Sequence, residues 1–368
     1  MVTAGFRGRV SRPGRPGGPG GPGGPGGPGR PGAGLGVALL LLLVACGPSG
    51  PGSTTPGAGG SVLPSPLTVG LGYIPSVQFA QFYLAQEAGY YRDAGLQVTF
   101  QNKVDPDLVT LVGQGSIDVG ISDGTRVIPA VSQGIPVRYV ATIYAQFPNV
   151  VYAKQASGIR TAADLRGRKL GTPGKYGSSW IMLQAILGSA GLKPADLQIE
   201  LYPDFGQGTA LAQGAVDAAT GFINNEPVQL ALSGTQSNIL RVDQVVPLPG
   251  NGLIAGTSAI AGKRTQLRAF VAATLHAMRD IEADPQKGLD AAIAVVPELG
   301  QDRATQLAIL HATIATWSNA YTAEHGPGAI DAAAWATTVR FMGGLPDHPI
   351  SGSPPSVEEL IDTSLLPG

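Results

Sequence analysis

Cysteine and histidine are scarce in this chain of 368 residues. Cys46 is the single cysteine, and the four histidines fall at positions 276, 311, 325 and 348. One thiol cannot form an intramolecular disulfide, and it cannot supply the thiolate cluster that a structural zinc site needs. The sequence therefore predicts a folded body that has no metal site, no cofactor and no redox chemistry of its own.

Charge is also scarce and evenly balanced. Charged residues make up 13% of the chain, the formal net charge is −1, and 43% of the residues are hydrophobic. Proteins that bind nucleic acid or an anionic membrane surface carry an excess of lysine and arginine, which this balance does not provide. We expect an ordinary globular protein that has no nucleic-acid partner.

The N-terminal region has the parts of a signal peptide. Arginines at positions 7, 9, 12, 15 and 30 precede an apolar stretch over 35–45, whose 11 residues are too few to cross a bilayer. Leu43-Val44-Ala45-Cys46 then resembles the bacterial lipobox, in which the chain is cut before the cysteine and the thiol is diacylated. We predict a lipoprotein signal peptide with a Gly/Pro-rich leader over 1–45 and lipidation at Cys46. An ordinary secretory signal with an accidental cysteine is the alternative.

Residues 46–65 are rich in Gly, Pro, Ser and Thr and carry no charge. This composition predicts a flexible linker between a lipid anchor and the folded body. A lipid anchor places the protein at the cell membrane, facing the extracytoplasmic side.

Short apolar runs alternate with helical stretches from residue 67 onward. The runs are apolar throughout, as in strands that are buried on both faces of a parallel sheet. In the first set, Asp105 as N-cap and Pro106 as the first helical residue predict the start of a helix. The predicted strands are 67–71, 98–100, 117–121 and 137–143, followed by 150–153, 169–171, 199–202, 216–222 and 239–242.

The two sets of predicted strands repeat one another. The sequence QGSIDV at 114–119 recurs 99 positions later (213 − 114) as QGAVDA at 213–218. The repeat predicts two similar α/β lobes, although the pattern could recur by chance in a chain this rich in Gly and Ala. Helices predominate beyond residue 253, and we expect this tail to pack on the first lobe. The predicted helices are 264–283, 285–295, 302–317 and 330–341.

Six motifs occur in the same order as in a known family. They are Gly72-Tyr73-Ile74-Pro75 and the stretches 82–91 (FYLAQEAGYY), 95–98 (GLQV), 115–120 (GSIDVG), 134–137 (GIPV) and 161–171 (TAADLRGRKLG). Between residues 67 and 297 the chain resembles the ABC transporter solute-binding proteins that include thiamine-pyrimidine, riboflavin and alkanesulfonate binders. The motifs are specific for the superfamily and say little about which ligand is bound.

The resemblance implies an α/β fold of the second class of periplasmic binding proteins, with two lobes. Each lobe would be a mainly parallel sheet flanked by helices, with a helical C-terminal tail packed on lobe one. Lobe one would comprise 66–148 and 252–368 and lobe two 149–251, with hinge crossings near 146–150 and 249–253. A small-molecule ligand would sit in the cleft and be passed to an ABC permease and ATPase, beside which the lipid anchor holds the protein.

In α/β sheets, ligands bind beyond the carboxyl ends of the strands, and the loops there can be located in the sequence. Some of these residues have plainer alternatives, because Phe79 could belong to the core and Asp123 could cap the helix that starts at Thr125. Glu226 is well placed to accept a hydrogen bond from an amine, an imide N–H or a hydroxyl. The candidate ligand-binding residues are Tyr73, Gln78, Phe79, Asp123, Tyr144, Tyr176, Asn224, Asn225 and Glu226.

Aromatic faces, amides and two carboxylates predominate in these loops, and Lys175 is their one clearly basic residue. A nitrate or alkanesulfonate site needs converging cations, so a neutral flat heterocycle fits better. The pyrimidine binders of the family carry Asn and His soon after the proline of the first loop, whereas Pro75 is followed by Ser76-Val77-Gln78-Phe79. We therefore predict riboflavin as the ligand. An aminopyrimidine thiamine precursor is the first alternative, and an alkanesulfonate or nitrate the second.

An enzyme is the other class to consider, because a eukaryotic branch of the superfamily makes the thiamine pyrimidine itself. That activity goes with a cysteine-rich motif and a cofactor lysine near a histidine, and this chain departs from both. No histidine falls in a candidate loop, so a Ser-His-Asp arrangement is not predicted either. We predict a binding protein without catalytic residues. A scaffolding lipoprotein that binds no ligand is the third possibility.

Overall fold

The chain forms two five-stranded β-sheets flanked by helices, and a computed structural model describes residues 64–104 and 106–367. The strands are β1 (Ser65–Gly70), β2 (Leu96–Gln101), β3 (Val119–Ser122), β4 (Val137–Thr142), β5 (Asn149–Lys154), β6 (Lys169–Thr172), β7 (Gln198–Leu201), β8 (Ala218–Phe222), β9 (Ser237–Arg241) and β10 (Gly252–Gly256). The helices are α1 (Ala80–Glu87), α2 (Tyr90–Asp93), α3 (Leu108–Gly113), α4 (Gly124–Ser132), α5 (Gly177–Ser189), α6 (Gln207–Gln213), α7 (Glu226–Leu232), α8 (Thr257–Gly262), α9 (Arg264–Ala283), α10 (Pro285–Val295), α11 (Arg303–Ile314), α12 (Ala320–His325), α13 (Ala332–Gly343) and α14 (Val357–Leu360).

The predicted signal peptide, Cys46 and the predicted linker up to residue 63 lie outside the described residues, as does Asp105. β1 begins at Ser65, the last position of the predicted linker. Within the described ranges, no helix is both long enough and apolar enough to cross a membrane.

Each sheet has four strands in one direction and one strand against them. The strand orders are β2-β1-β3-β10-β4 and β7-β6-β8-β5-β9. β10 runs antiparallel to β3 and β4, and β5 runs antiparallel to β8 and β9. The prediction of mainly parallel sheets is therefore confirmed. β10 was not predicted as a strand, because its first residues were assigned to a hinge crossing.

The chain passes between the sheets twice, after β4 and again before β10, and the two passages contact each other. The amides of Ile143 and Tyr144 both donate to the carbonyl of Asn251, at 3.1 and 2.7 Å. A Cβ atom at Gly250 would lie 2.2 Å from the Tyr144 carbonyl oxygen, so only glycine fits there without a backbone shift. This contact holds the two passages against each other directly after β4 and before β10.

The sequence repeat corresponds to a structural repeat. Gly115 and Gly214 end their helices with left-handed backbone, at φ of 77° and 79°. The carboxylate of Asp118 then accepts from the Thr68 amide of the first sheet, and that of Asp217 accepts from the Lys169 amide of the second, both at 2.9 Å. The same aspartate–amide hydrogen bond therefore joins β3 to β1 in the first sheet and β8 to β6 in the second. This shared structural role argues against a chance recurrence of the sequence pattern.

The C-terminal helices pack as predicted and also reach further. α9 and α10 pack on α1, where Phe82, Tyr91 and Phe270 form an aromatic core beside the first sheet. α13 packs on α4, and its Trp335 shares a core cluster with Ile181 of α5. The tail therefore covers the first sheet and also contacts a helix of the second.

The predicted helix boundaries hold in part. α9 and α10 have the predicted limits. α11 begins one residue later than predicted, because Asp302 caps it by accepting from the Thr305 amide at 3.1 Å, and it ends three residues earlier, at Ile314. α3 begins at Leu108 after a turn, so Pro106 is not its first residue. α13 begins after Asp331, whose carboxylate accepts from the amides of the first helical turn.

Candidate ligand-binding cleft

The carboxyl ends of the parallel strands of the two sheets meet across a cleft. β3 leads into Asp123 and α4 on one side, and β8 leads into Asn224 and α7 on the other. Contacts between the two sides include a Ser178–Asp123 hydrogen bond, an Asn224–Thr313 hydrogen bond, and a contact between the rings of Tyr73 and Phe205. Strand ends of this kind are where α/β proteins bind ligands.

Asp123 caps α4, as one of the two interpretations of the sequence predicted. Its Oδ1 accepts from the Thr125 amide at 2.8 Å, and its side chain is 4% exposed. Its Oδ2 accepts from the hydroxyl of Ser178, at the start of α5. Both carboxylate oxygens therefore accept hydrogen bonds. Oδ1 accepts from the helix that follows β3, and Oδ2 accepts from a helix on the other side of the cleft.

Asn224 and Asn225 have different surroundings. Asn224 is fully buried, its Nδ2 donates to Thr313 Oγ1 at 2.9 Å, and its Oδ1 has no hydrogen-bond partner in the described chain. Asn225 Oδ1 instead accepts from the exposed Gln229 at 2.7 Å, along α7. The structure brings Asn224 to the cleft and engages Asn225 with its own helix.

Glu226 begins α7, and its carboxylate turns back toward β8. Oε2 accepts from the Phe222 amide at 2.8 Å, and burial raises the pKa of the carboxyl. Cβ atoms at Gly208 and Gly221 would lie 3.3 Å from Glu226 Cγ and 3.1 Å from its Oε2. Two glycines thus leave the space in which this carboxyl sits.

Tyr73 approaches Glu226 from the other side of the cleft. Burial raises the pKa of the Tyr73 hydroxyl, and the negative charge of Glu226 raises it further. The Tyr73 ring meets the ring of Phe205 edge to face, with centroids 6.4 Å apart and planes at 81°. Phe205, in the loop after β7, was not predicted as a site residue.

Gln78, Phe79 and Tyr144 are buried. Phe79 is buried in the core of the first sheet, as the plainer alternative had it. The Tyr144 hydroxyl donates to the backbone carbonyl of Gln78 at 3.3 Å, and burial raises its pKa, so the hydroxyl stays protonated. Contact of these three residues with ligand stays a prediction.

Tyr176 is the most exposed of the predicted residues, at 68%. It immediately precedes α5 and is two residues before Ser178, whose hydroxyl reaches Asp123. Its position is therefore at the rim of the cleft rather than inside it.

Five buried polar atoms near the strand ends have no hydrogen-bond partner within the described ranges. Such groups are rare, because burying them unpaired costs free energy, and each calls for a partner. Asn149 faces Phe222 across β5 and β8, and Ser122 faces Gly252 across β3 and β10, so both sheets contribute. The atoms are Ser122 Oγ, Asn149 Nδ2, Tyr152 OH, Gln207 Oε1 and Asn224 Oδ1.

Asn224 is the one member of this set that the sequence predicted as a site residue. Tyr152 lies in a continuous apolar strand and reads as core, and Gln207 opens a short helix after a loop. Asn149 offered a signal, because it is a polar residue directly before a buried strand and next to the predicted hinge. An unpartnered atom is a property of packing, which residue type does not reveal.

The buried polar groups of the described chain are almost all neutral. Asp123 is the one charged residue among those buried, and no lysine or arginine is among them. Lys175 is exposed. No group of three or more His, Cys, Asp or Glu side chains is placed to hold a metal ion in the part of the chain that the structure describes.

A cavity of about 490 Å³ lies where the two passages between the sheets meet the C-terminal helices. It is lined by both passages between the sheets, including Phe147 and Leu248, and by the tail, including Tyr321 and Trp335. None of the predicted ligand-binding residues lines it.

Comparison with known proteins decides the family. The family model described as NMT1/THI5 like matches residues 76–288, more than half of the chain. The chain belongs to the NMT1/THI5-like family. Riboflavin-binding protein RibY of Chloroflexus aurantiacus is 33% identical to this NMT1/THI5-like protein over 349 residues, which cover 91% of this chain and 97% of RibY.

Other relatives of this NMT1/THI5-like protein are more distant. The 4-amino-5-hydroxymethyl-2-methylpyrimidine phosphate synthase of Legionella pneumophila is 25% identical over 189 residues, 51% of this chain and 59% of the synthase. The alkanesulfonate-binding protein SsuA from Xanthomonas axonopodis pv. citri, bound to MOPS, has a TM-score of 0.62 at 18% identity, with 82% of this chain and all of SsuA covered. SsuA from Escherichia coli gives 0.63 at 18%, covering 81% and 97%.

These likenesses confirm the resemblance and the two-lobed binding-protein fold. The relative that aligns along nearly the whole chain is a binding protein, and so are the two SsuA structures. The synthase aligns with about half of the chain. This NMT1/THI5-like protein therefore shares its fold with the two SsuA binding proteins and is similar in sequence to RibY over most of its length.

Proposed function

We propose that the protein binds riboflavin in the cleft between its two sheets and delivers it to an ABC permease. The set of buried, unpartnered polar atoms at the strand ends carries this proposal. Ser122, Asn149, Tyr152, Gln207 and Asn224 offer both donors and acceptors, which a solute rich in N–H, carbonyl and hydroxyl groups would satisfy. The likeness to RibY supports a flavin as that solute.

The rest of the cleft suits a flat, uncharged ring. Tyr73 and Phe205 supply aromatic faces from opposite sides, and Glu226 supplies an acceptor for an imide N–H. An alkanesulfonate or nitrate would need buried cationic donors, whereas the described chain buries no lysine or arginine. An aminopyrimidine remains the second candidate because the family includes pyrimidine synthases.

Ligand binding and lobe closure are coupled in this proposal. Lobe one is 66–148 with 252–368 and lobe two is 149–251, and the two passages after β4 and before β10 act as the hinge. A ligand that satisfies polar atoms on both sides binds the closed form better than the open form, so it shifts the population toward closure. The permease then recognises the closed, loaded protein.

Anchoring is the remaining part of the proposal. Residues 1–45 act as the signal peptide, Cys46 carries the lipid, and residues 46–65 form the linker, so the protein stays on the extracytoplasmic face of the cell membrane. Permease and ATPase are the protein partners, and no catalytic step is involved. Replacement of Cys46 by Ser should abolish incorporation of labelled fatty acid; labelling that persists would contradict the assignment.

Riboflavin binding is tested by titration of the purified protein. Bound flavin fluorescence should be quenched at micromolar ligand, and the protein should gain about 2.7 kcal/mol in unfolding free energy at ligand a hundredfold above Kd. An aminopyrimidine and an alkanesulfonate serve as the alternative ligands. If riboflavin causes neither quenching nor a shift in Tm, and one of the alternative ligands does shift the Tm, that alternative is the ligand and riboflavin is not.

A further inference from the structure

Phe205 has an unusual backbone conformation. Its φ is 62°, in the left-handed region, and the only other non-glycine residue with positive φ in the described ranges is His348. A bulky side chain is disfavoured in this region, where glycine costs nothing, and Gly206 follows directly. Residues held in such conformations concentrate at functional sites, where the surrounding structure enforces them.

A tight turn enforces the conformation. The Phe205 amide donates to the Tyr202 carbonyl at 2.9 Å, and the Gly206 amide donates to Asp204 Oδ1 at 3.1 Å. These two bonds close the loop between β7 and α6 on both sides of Phe205. The position of the Phe205 ring is therefore fixed by the backbone conformation of the turn and not by packing in a hydrophobic core.

The Phe205 ring is 47% exposed, and the Tyr73 ring contacts it from the other sheet. Tyr73 itself packs against the core of the first sheet. Each ring is thus attached to a different side of the hinge, and opening the cleft would separate them. Neither core packing nor local stability explains an aromatic ring that is both strained and half exposed.

We propose that Tyr73 and Phe205 form an aromatic gate that closes over the ring of the ligand. This inference rests on the proposed function and names the residues that retain the solute. In the closed form the two rings cover the cleft opening next to Glu226, the acceptor at the ligand's edge. When a flat heterocycle is bound, its ring contacts the rings of Tyr73 and Phe205 over a larger area than these two rings share edge to face. The gate therefore favours aromatic solutes over aliphatic ones.

The test compares Phe205→Ala, Phe205→Leu and Phe205→Gly with the wild type. Loss of an aromatic contact of this kind should raise the dissociation rate constant and the Kd for riboflavin by roughly 2- to 10-fold. Phe205→Gly should also raise the Tm of the ligand-free protein, because glycine relieves the left-handed strain. Phe205→Leu keeps the apolar character and loses the ring, so it should weaken binding as well.

Val295→Ala, at an exposed apolar residue at the end of α10, is the matched control and should leave riboflavin binding unchanged. Riboflavin, an aminopyrimidine and hexanesulfonate are each tested with every variant. If the wild type binds riboflavin and all three Phe205 variants match it, the gate is wrong and the proposed function stands. If the wild type binds neither ring-bearing probe, the proposed function fails and the gate fails with it.

Discussion

Asp123 and Ser178 join the two sides of the cleft through one hydrogen bond. The Ser178 hydroxyl, in the first turn of α5, donates to Asp123 Oδ2, while Asp123 Oδ1 caps α4 through the Thr125 amide at 2.8 Å. One carboxylate therefore stabilises a helix of the first sheet and holds a helix of the second against it. Helix capping and cleft closure can be separated by substitution.

Ser178→Ala should weaken closure and leave the cap of α4 intact. A hydrogen bond to a charged group contributes about 1.5 kcal/mol or more, so the ratio of closed to open protein should fall roughly tenfold and the Kd should rise accordingly. Small-angle scattering of the ligand-free protein should show a larger radius of gyration. Asp123→Ala should cost about 1 kcal/mol more in unfolding free energy, because it also removes the cap.

Ser189→Ala is the control for this pair, since Ser189 lies on the same helix and donates to the Ile186 carbonyl at 2.7 Å. It should alter neither the radius of gyration nor the Kd. Equal dimensions for the wild type and Ser178→Ala, with an unchanged Kd, would show that this bond does not hold the cleft closed.

Tyr152→Phe should stabilise the ligand-free protein and weaken ligand binding. The Tyr152 hydroxyl is buried without a partner in the described chain, so its removal relieves a desolvation cost of about 1 kcal/mol. If the Tyr152 hydroxyl forms a hydrogen bond with the ligand, the same variant should bind riboflavin with a higher Kd. Chemical unfolding without ligand and titration with riboflavin measure the two effects.

Tyr139 is the matched control, because it is equally buried and its hydroxyl donates to the Gly250 carbonyl at 3.1 Å. Tyr139→Phe should lower the unfolding free energy. A loss of stability in both variants would indicate that Tyr152 has a partner of its own within the protein.

Glu226→Gln should make the protein more stable at pH 7 and leave it unchanged at low pH. Burial raises the folded-state pKa of Glu226 above the unfolded value of about 4.3, so the folded state binds the proton more tightly. Wild-type stability therefore falls as the pH rises from the unfolded pKa through the folded pKa. The glutamine can still accept from the Phe222 amide, so the difference reports the charge.

Urea unfolding from pH 4 to pH 8 measures this dependence. Glu324→Gln, at an exposed glutamate of α12, changes the net charge by the same amount and is the control substitution. A profile for Glu226→Gln that parallels the wild type would contradict a half-buried carboxyl whose pKa is raised by desolvation.

Asp118→Ala should destabilise the fold by about 1–3 kcal/mol, because it leaves the half-buried Thr68 amide unpaired. Asp217→Ala should cost less, because water can replace the carboxylate at the exposed Lys169 amide. Neither substitution should change ligand selectivity. Asp118→Ala should cost up to about 1 kcal/mol more, since Asp118 also pairs with the half-exposed Lys263. Asp290→Ala, in an exposed ion pair with Arg303, should have little effect. Chemical unfolding measures these losses. A larger loss of unfolding free energy for Asp290→Ala than for Asp118→Ala or Asp217→Ala would contradict the structural role assigned to the two repeated aspartates.

Much of the fold could be predicted from the sequence because its signals are local. Apolar runs of strand length, the repeat around Asp118 and Asp217, and the limits of α9 and α10 all depend on residues close together in the chain. β10 was missed because its identity as a strand depends on pairing with β3 and β4, more than 100 residues earlier.

The candidate site divides along the same line. Sequence order predicted that Tyr73, Asp123, Asn224 and Glu226 follow strand ends, since this depends on strand boundaries alone. It did not predict that Asp123 bonds Ser178, that Phe205 meets Tyr73, or that the Tyr152 hydroxyl lacks a partner. These properties arise when two distant segments pack together, and no single segment contains them.

By itself, then, the sequence determined the alternation of strands and helices, the internal repeat, the low charge and the absence of cysteine after residue 46, because composition and periodicity act locally along the chain. The interpretation as a binding protein came from the resemblance to a known family. Only the tertiary structure decided which side chains face one another across the cleft and which buried polar atoms have no hydrogen-bond partner in the described chain. Hydrogen bonding and burial are satisfied in three dimensions, so recognition of the ligand is a property of the fold.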